Sequence, residues 1–280
     1  MGNSAILLAV QSAFWFSLAN TLVRLVGNSL PSMEITLGRS LVGLALCALA
    51  FRKTGFDFGT NKKLLLIRGI VGFVSLFCTI YAITHLPLAD AITLFYTNPV
   101  FSLLLGILFL GEHPGAKAML CIVTSMTGIL LITRPAFLFS GTSLETFSTC
   151  VALTAAFFSA AAYVTMHAIG KKENPVTTIA YLYLISAPAA FFFSLPNWVW
   201  PTAQDLLFLL GIGGLTQIGQ ICLVKALCLE QAGTVTAVST IQVAFVTGIG
   251  MFFFHELPAP LSACGTLLIV ASAVILNLRQ

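Results

Sequence analysis

Apolar residues run through the chain in ten long stretches, each close to the length of a helix that crosses a bilayer. A hydrocarbon core of roughly 30 Å needs about 20 helical residues. Charged residues, Pro or Gly separate stretches of this length along the whole sequence. The pattern predicts transmembrane helices over residues 5–26, 32–51, 64–85, 88–110, 116–134, 148–169, 176–195, 204–226, 233–254 and 259–278. Because the connections are short, the sequence predicts an all-α membrane protein without a separate soluble domain.

Basic residues are concentrated on one side of this predicted bundle. With an even number of spans both termini share a face, and that face and its loops would carry most of the 13 Lys and Arg residues. These are Arg52, Lys53, Lys62, Lys63, Arg68, Lys117, Lys171, Lys172, Lys225 and Arg279. The opposite face would carry Arg24 and Arg134, and Arg39 lies within a span. Because an excess of Lys and Arg marks the cytoplasmic side, we expect a plasma-membrane protein with both termini in the cytoplasm.

The two halves of the chain resemble each other. A shift of 144 residues places Glu112-His113-Pro114 on Glu256-Leu257-Pro258, and a shift of 143 near the start of each half places Gly27 on Gly170. We therefore expect a duplication, with one copy in residues 1–136 and the other in residues 137–280. Five spans per copy is an odd number, so the second copy must enter the membrane in the opposite sense. Inverted repeats of this kind are common in secondary transporters.

The composition agrees with a lipid-embedded chain. Hydrophobic residues make up 58% and charged residues 8%, against roughly 25% charged in soluble domains. The net charge of +4 includes no basic arm that would bind nucleic acid. The seven cysteines form no CxxC pair, which argues against a disulfide framework or a zinc site, and we expect no metal and no cofactor. The first apolar stretch follows no Lys or Arg, so it is expected to be a retained helix rather than a cleaved signal.

Short motifs in the first half are typical of one known family. They are Leu86-Pro87-Leu88-Ala89-Asp90-Ala91, Asn98-Pro99-Val100-Phe101, Leu110-Gly111-Glu112, Gly128, Arg39 and Arg68-Gly69. Over essentially its whole length, in two copies, the chain resembles the EamA family of the drug/metabolite transporter superfamily. The second copy departs from the pattern where Val243 replaces the mid-span proline, although it keeps the corner His255-Glu256-Leu257-Pro258.

The resemblance implies ten helices around a central cavity formed by the first, third and fourth helices of each half. It also implies alternating access through rocking of the halves. Relatives in the family carry amino acids, nucleotide sugars, drugs, S-adenosylmethionine, carnitine esters and carboxylates. We therefore expect a small polar substrate such as an amino acid, an amino-acid derivative like S-adenosylmethionine, or a carboxylate. The other expected partner is the lipid bilayer, with the chain a monomer or a weak homo-oligomer.

Polar residues at helical spacing indicate which faces meet a substrate, because lipid tolerates polar side chains chiefly where they face protein or water. In the first span Ser17, Asn20, Thr21 and Arg24 fall at i, i+3, i+4 and i+7, which places them on one face. In the matching span of the second half His167 aligns with Arg24, and in the third span Ser75 and Thr79 share a face with Arg68. The further residues expected to line the cavity are Ser75, Thr79, Tyr96, Thr97, Asn98, Tyr163, His167, Gln217, Gln220, Thr240 and Gln242. The alternative is that these groups only join helices to each other.

Arg39 is the cation that the pattern places within a span. An unpaired charge at that depth costs at least about 2.5 kcal/mol, so Arg39 must face water, carbonyl groups or an anion. A guanidinium binds carboxylate and phosphate in a two-pronged manner, which favours an anionic or zwitterionic substrate. Arg39 could instead tie helices together through backbone carbonyls. Glu112 and Glu256 lie at span ends, where capping of the following helix is expected.

Two other functions compete with a carrier. A channel would need a continuous water path, and an intramembrane enzyme would need a nucleophile and a base that converge. The four histidines are scattered over different spans, with no HExxH or GxSxG motif, and a His-carboxylate pair in a cavity would favour the enzyme. No carboxylate is predicted near mid-membrane. A uniporter or exchanger is therefore favoured over a proton-coupled pump, although His167 leaves coupling open.

Overall fold

The structure is a computed structural model, and it describes residues 2–27, 29–54, 58–86, 93–112, 115–133, 145–254 and 264–271. In these ranges all regular structure is helical. The helices are α1 (Gly2–Val26), α2 (Ser32–Thr54), α3 (Lys62–His85), α4 (Asn98–Leu110), α5 (Ala116–Thr133), α6 (Thr146–Ile169), α7 (Pro175–Ser194), α8 (Ala203–Leu227), α9 (Ala232–Ser239) and α10 (Gln242–Phe254). Residues 93–95 form a helical turn before α4, residues 264–271 are also helical, and 3₁₀ turns follow α6 and α7.

Long apolar helices dominate this architecture. Within the described residues, six helical segments are long and apolar enough to cross a membrane. They are Ser4–Val23, Ser32–Arg52, Thr93–Leu110, Thr146–Lys172, Pro175–Asn197 and Ala203–Leu227. Apart from the start of α4 and the break between α9 and α10, the described helix ends fall within about three residues of the predicted ends, because the helices end where the apolar stretches end.

Two stretches predicted as continuous spans are interrupted near their middles. The helical turn at 93–95 is separated from α4 by a turn at Tyr96 and Thr97, just before the expected proline. The predicted span 233–254 contains two helices, α9 and α10, which are separated by a turn at Thr240 and Ile241. Here the Thr240 hydroxyl donates to the carbonyl of Ala237 at 2.6 Å, and the backbone is tightened by i to i−3 hydrogen bonds. A threonine hydroxyl that competes for a helical carbonyl can bend a helix without a proline.

The core is formed where helices of one half pack on helices of the other. Helix α1 packs on α8, α3 on α6, and α2 on α7, while α2 also contacts α8 and α3 contacts α7. Small residues let these helices approach closely. The Tyr183 ring of α7 lies directly over Gly43 of α2, and Val42 of α2 lies over Gly213 of α8.

One end of the bundle joins the α1–α2 connection to the α7–α8 connection. The Ser29 hydroxyl donates to Oδ1 of Asp205 at 2.7 Å, and the backbone N–H of Val199 donates to Oε1 of Glu34 at 2.6 Å. Asp205 also forms a capping box with Thr202 at the start of α8. The first connection of the first half therefore meets the second connection of the second half.

The other end joins the α6–α7 connection to the segment before α3. Oε1 of Glu173 accepts hydrogen bonds from the backbone N–H groups of Thr60 and Asn61, each at 2.7 Å, and from the Thr60 hydroxyl. Burial alone would raise the pKa of Glu173, but these hydrogen bonds to the charged form hold the pKa below its usual value. Here the first connection of the second half meets the second connection of the first half.

Candidate functional site

Two arginines lie close together inside the membrane-spanning part of the molecule. Arg39 lies near the start of α2 and Arg68 near the start of α3. The two guanidinium groups interact electrostatically with each other and with the same two phenols, those of Tyr163 on α6 and Tyr183 on α7. The cluster therefore lies between the two halves of the chain.

Both guanidinium groups keep unused hydrogen-bond donors. Nε of Arg39, and Nε and Nη1 of Arg68, are buried and have no hydrogen-bond partner. Arg68 is 3% exposed. Among the residues that the structure describes, neither arginine interacts with a carboxylate. A buried cation without a counter-ion is costly, so this cluster favours the binding of an anion.

Two tyrosines border the cluster. Tyr183 is fully buried, and its ring is held between α7 and Gly43 of α2. Tyr163 is half-buried and also interacts with Tyr96 at the interruption before α4. Phenolic hydroxyls can donate to an anion bound by the arginines.

Two glutamines on α8 add hydrogen-bond acceptors. Gln217 donates through Nε2 to Sγ of Cys47 at 3.4 Å, and Cys47 in turn interacts with Tyr183. The side-chain oxygens of Gln217 and Gln220 are buried without a hydrogen-bond partner. They could accept from an ammonium or hydroxyl group of a ligand.

Most of the expected hydroxyl ligands are already engaged. The Ser17 hydroxyl donates to Ala13 O at 2.7 Å and to Gln242 O at 3.2 Å, and the Ser75 hydroxyl donates to Ala155 O at 3.0 Å. These bonds join α1 to α10 and α3 to α6. The remaining hydroxyls donate to carbonyls of their own segments: Thr21 to Ser17, Thr79 to Ser75, Thr97 to Leu94 and Thr240 to Ala237.

For the other expected residues the structure gives no contact with the arginine cluster among the described residues, or their side chains lie outside the described residues. Asn20 is exposed, Asn98 is buried at the start of α4, and Gln242 is half-buried with its carbonyl bound by Ser17. The side chain of Arg24 and the corner at Glu256 lie outside the described residues.

His167 has its own partners at one end of the bundle. Its Nδ1 lies 2.6 Å from the carbonyl oxygen of Leu227, and its Nε2 lies 3.2 Å from Oε1 of Glu112, without the alignment of a regular hydrogen bond. Glu112 receives a backbone hydrogen bond from Ala232 at the start of α9, and its expected capping of the following helix stays a prediction. The pair lies at helix ends, and the contacts found around it include no Ser or Cys nucleophile aligned on the imidazole.

A separate cavity of about 140 Å³ lies beside the interrupted fourth span. Tyr96 and Thr97 line it, together with Thr93, Leu94, Met126, Ile129 and Leu130. Its lining is mostly apolar. No group of His, Cys, Asp or Glu that could hold a metal was found in the described part of the chain.

Sequence reasoning did not single out Arg68 and Tyr183 as ligands. Arg68 shares a face with Ser75 and Thr79, which is a signal that could have found it. Tyr183 lies 144 residues after Arg39, so the internal alignment pairs two positions that interact in the structure. The sequence alone does not say which helix ends and faces of the two halves pack together, because that packing is set by the tertiary structure.

Comparisons with known proteins agree with these features. Residues 3–134 and residues 146–278 each match the EamA-like transporter family. The pseudopaline exporter CntI of Pseudomonas aeruginosa is 33% identical over 98% of this chain and 96% of its own length. Human solute carrier family 35 member G1 is 31% identical over 96% of this chain and 77% of its own length, and the riboflavin transporter of Vibrio cholerae is 23% identical over 96% and 93%.

A solved crystal structure has the same fold. Its TM-score is 0.84 at 16% identity, and the match covers 99% of this chain and 98% of that one. At this identity the match shows the fold alone.

Proposed function

Because the chain belongs to the EamA-like transporter family and carries two copies of its repeat, we propose that it moves a small carboxylate-bearing metabolite across a membrane by alternating access. The chain is a multi-pass membrane transporter and not an enzyme, as the family and its named relatives indicate. The substrate class is the step that we add.

The observation that carries this proposal is the unneutralised guanidinium of Arg39. Its Nε is buried and unpartnered, and the group lies between the halves, beside Tyr163 and Tyr183. In a low-dielectric site a carboxylate would supply both the missing counter-charge and the missing hydrogen-bond acceptor. The free oxygens of Gln217 and Gln220 would accept from an ammonium group, so zwitterions such as amino acids also fit.

Two inverted copies of five spans, residues 1–136 and 137–280, provide the rocking halves. The reciprocal packing supports this arrangement, since α1 on α8 has its counterpart in α6 on α3. The connections also pair reciprocally at the two ends, and the fourth and ninth spans are interrupted at Tyr96–Thr97 and Thr240–Ile241, 144 residues apart. Interrupted helices at the repeat interface are typical of substrate sites in secondary transporters.

The same proposal extends to the orientation. The excess of Lys and Arg on one face supports a plasma-membrane protein with cytoplasmic termini. Glu173, Glu112 and His167 would then lie at the cytoplasmic end, and Asp205 and Glu34 at the outer end.

Counterflow in proteoliposomes tests the function. Vesicles are loaded with unlabelled lactate, glutamine, glutamate, succinate or citrate, each with its labelled form outside, and uridine serves as a neutral control. We expect saturable exchange of at least one carboxylate. Arg39→Gln should lower that exchange at least about tenfold, since a hydrogen bond to a charged group contributes about 1.5–3 kcal/mol. Lys225→Gln, which removes an exposed cation near the end of α8, is the matched control.

Two results would refute the proposal. One is wild-type protein that exchanges none of the carboxylates. The other is an Arg39→Gln variant that folds normally and exchanges them as fast as Lys225→Gln does.

A further inference from the structure

The Arg68 side chain points into the membrane rather than toward the nearby end of its helix. A long cation near a helix end usually extends to the interface. Here the guanidinium lies over Gly72, one turn further along α3, and a Cβ on Gly72 would overlap Nη1 of Arg68. The absence of a side chain at Gly72 therefore gives the guanidinium room to reach inward.

Arg68 and Arg39 approach each other from opposite ends of the bundle. Helix α2 begins at the end where Ser29 meets Asp205, whereas α3 begins at the end where Glu173 meets Asn61. Both arginines lie near the starts of their helices, yet they interact with each other and with the same phenols. Two like charges in a poorly solvated site repel, and one carboxylate would neutralise only one of them.

We propose that the substrate carries two separated carboxylates, one bound by Arg39 and the other by Arg68. This inference rests on the proposed function and narrows its substrate class. A single phosphate bound by both guanidinium groups is the competing occupant, and the test below distinguishes the two. Arg68 is then the residue that distinguishes dicarboxylates from monocarboxylates.

The test compares molecules that differ in one carboxylate. Counterflow of labelled glutamate is compared with counterflow of labelled glutamine. Succinate and succinamate are compared as competitors of glutamate exchange. Both comparisons use wild type, Arg68→Gln and Gly72→Ala. We expect wild type to prefer the dicarboxylate member at least roughly tenfold. Arg68→Gln should remove that preference by slowing glutamate much more than glutamine. Gly72→Ala keeps every charge but displaces the guanidinium, so it should reduce the preference in the same direction.

The outcomes separate this inference from the function on which it rests. Exchange of glutamine as fast as glutamate by wild type overturns the two-carboxylate inference and leaves the carrier intact. An unchanged preference in Arg68→Gln, or stronger competition by inorganic phosphate than by glutamate, also overturns it. Exchange of no carboxylate at all refutes the function itself.

A second and independent observation concerns the contact between Glu112 and His167. Helix α4 is followed by Gly111, which has a φ of +63°, and the backbone N–H of Glu112 returns to the carbonyl of Gly106 at 3.2 Å. The chain thereby folds back, and a Cβ on Gly106 would lie 2.5 Å from Oε2 of Glu112. The carboxylate, from the first half, reaches the imidazole at the end of α6, in the second half.

The hydrogen-bond geometry limits where protons lie in the Glu112–His167 pair. A carbonyl oxygen only accepts, so Nδ1 of His167, at 2.6 Å from Leu227 O, carries a proton. A neutral imidazole would then direct a bare Nε2 lone pair at the carboxylate, 3.2 Å away. The contact is favourable when one further proton lies in the pair, on either Nε2 or Glu112.

Both acidic and basic groups lie near the Glu112–His167 pair. The carboxylate of Glu230 and the backbone N–H of Ala232 act on Glu112, and burial raises the pKa of the Glu112 carboxyl. Lys171 lies near Cys228, whose thiol donates to Gly170 O at 3.0 Å.

We propose that Glu112 and His167 form a proton-binding latch that closes this end of the transporter. When the end opens, both groups enter water, where a carboxyl titrates near about 4.3 and an imidazole near about 6.5. Opening therefore releases that further proton to solvent, so a rise in pH favours the open state, by up to about tenfold per pH unit. The internal alignment places Arg24 and Glu256 at the equivalent positions, and an arginine would not titrate there.

Labelling of Cys228 with a membrane-impermeant maleimide tests the latch without any substrate. Peptide mass spectrometry gives its labelling rate relative to exposed Cys150 at the other end of α6, which corrects for thiol reactivity. We expect the ratio to rise several-fold between pH 6 and pH 8 in wild type. The ratio should lose this dependence in Glu112→Gln and in His167→Gln. Glu145→Gln, which changes a carboxylate at the start of α6, should behave as wild type.

A ratio that does not change with pH in wild type overturns the latch. So does a pH dependence that persists in both variants. Since no substrate is used, neither result bears on the proposed function.

Discussion

The Gly43–Tyr183 contact predicts a large effect from one methyl group. A Cβ at position 43 would overlap Cε2 and Cζ of Tyr183 and lie 2.9 Å from Cδ2. The aromatic ring is rigid and fully buried, so it cannot turn away as the end of a flexible chain could. Gly43→Ala must therefore push α2 from α7 or displace the phenol from the arginines.

The size of the effect follows from comparison with a second glycine. Gly214 lies in α8, and no atom lies within 4 Å of a Cβ placed there. Alanine gains up to about 1 kcal/mol over glycine in a helix, and both variants share that gain. Overpacking costs about 1–3 kcal/mol, so we expect Gly43→Ala to be less stable than Gly214→Ala by that amount.

Reversible unfolding in mixed detergent micelles measures the difference, and counterflow of the transported carboxylate measures the effect on the site. Gly43→Ala should also slow exchange, because Tyr183 interacts with Arg39. Tyr183→Leu in the Gly43→Ala background should recover part of the lost stability, giving a double-mutant coupling energy. Equal stability of Gly43→Ala and Gly214→Ala would refute this account of the α2–α7 contact.

Two further predictions concern contacts between the halves. Glu173→Gln should be less stable than wild type at neutral pH. Because the folded pKa of Glu173 is lowered, its contribution is present above about pH 4.3 and is lost as the pH falls through the folded pKa. Unfolding curves of wild type and variant should therefore converge in acid, and a constant gap would contradict the assigned hydrogen bonds. Gly128→Ala places a Cβ 2.7 Å from Gly265 O, so it should lose about 1–3 kcal/mol in the same unfolding assay, whereas Gly248→Ala, with open space around it, should not.

Hydropathy predicted the helix positions well because lipid imposes one simple requirement on each stretch. The interruption at Thr240–Ile241 was not predicted, since no proline marks it. It depends on the Thr240 hydroxyl bound to Ala237 O, and on the Ser17 hydroxyl that reaches Gln242 O from another helix. A hydrogen bond between residues so far apart in the chain leaves no local signal.

The candidate site was predicted in part. The sequence indicated that Arg39 would face water, carbonyl groups or an anion, because an unpaired cation in lipid is costly. Serine and threonine at helical spacing predicted the inward faces, but their hydroxyls turned out to bind carbonyls of their own or neighbouring helices. Whether the other residues expected to line the cavity bind substrate stays a prediction.

The amino-acid sequence by itself determined the lipid environment, the helix ends and the family, because all three are read from local composition and short motifs. The tertiary structure decided which polar groups meet: Arg68 with Arg39, Tyr183 with both, and Glu112 with His167. Such meetings depend on how helices from the two halves pack, and packing is set by the fit of many distant side chains at once.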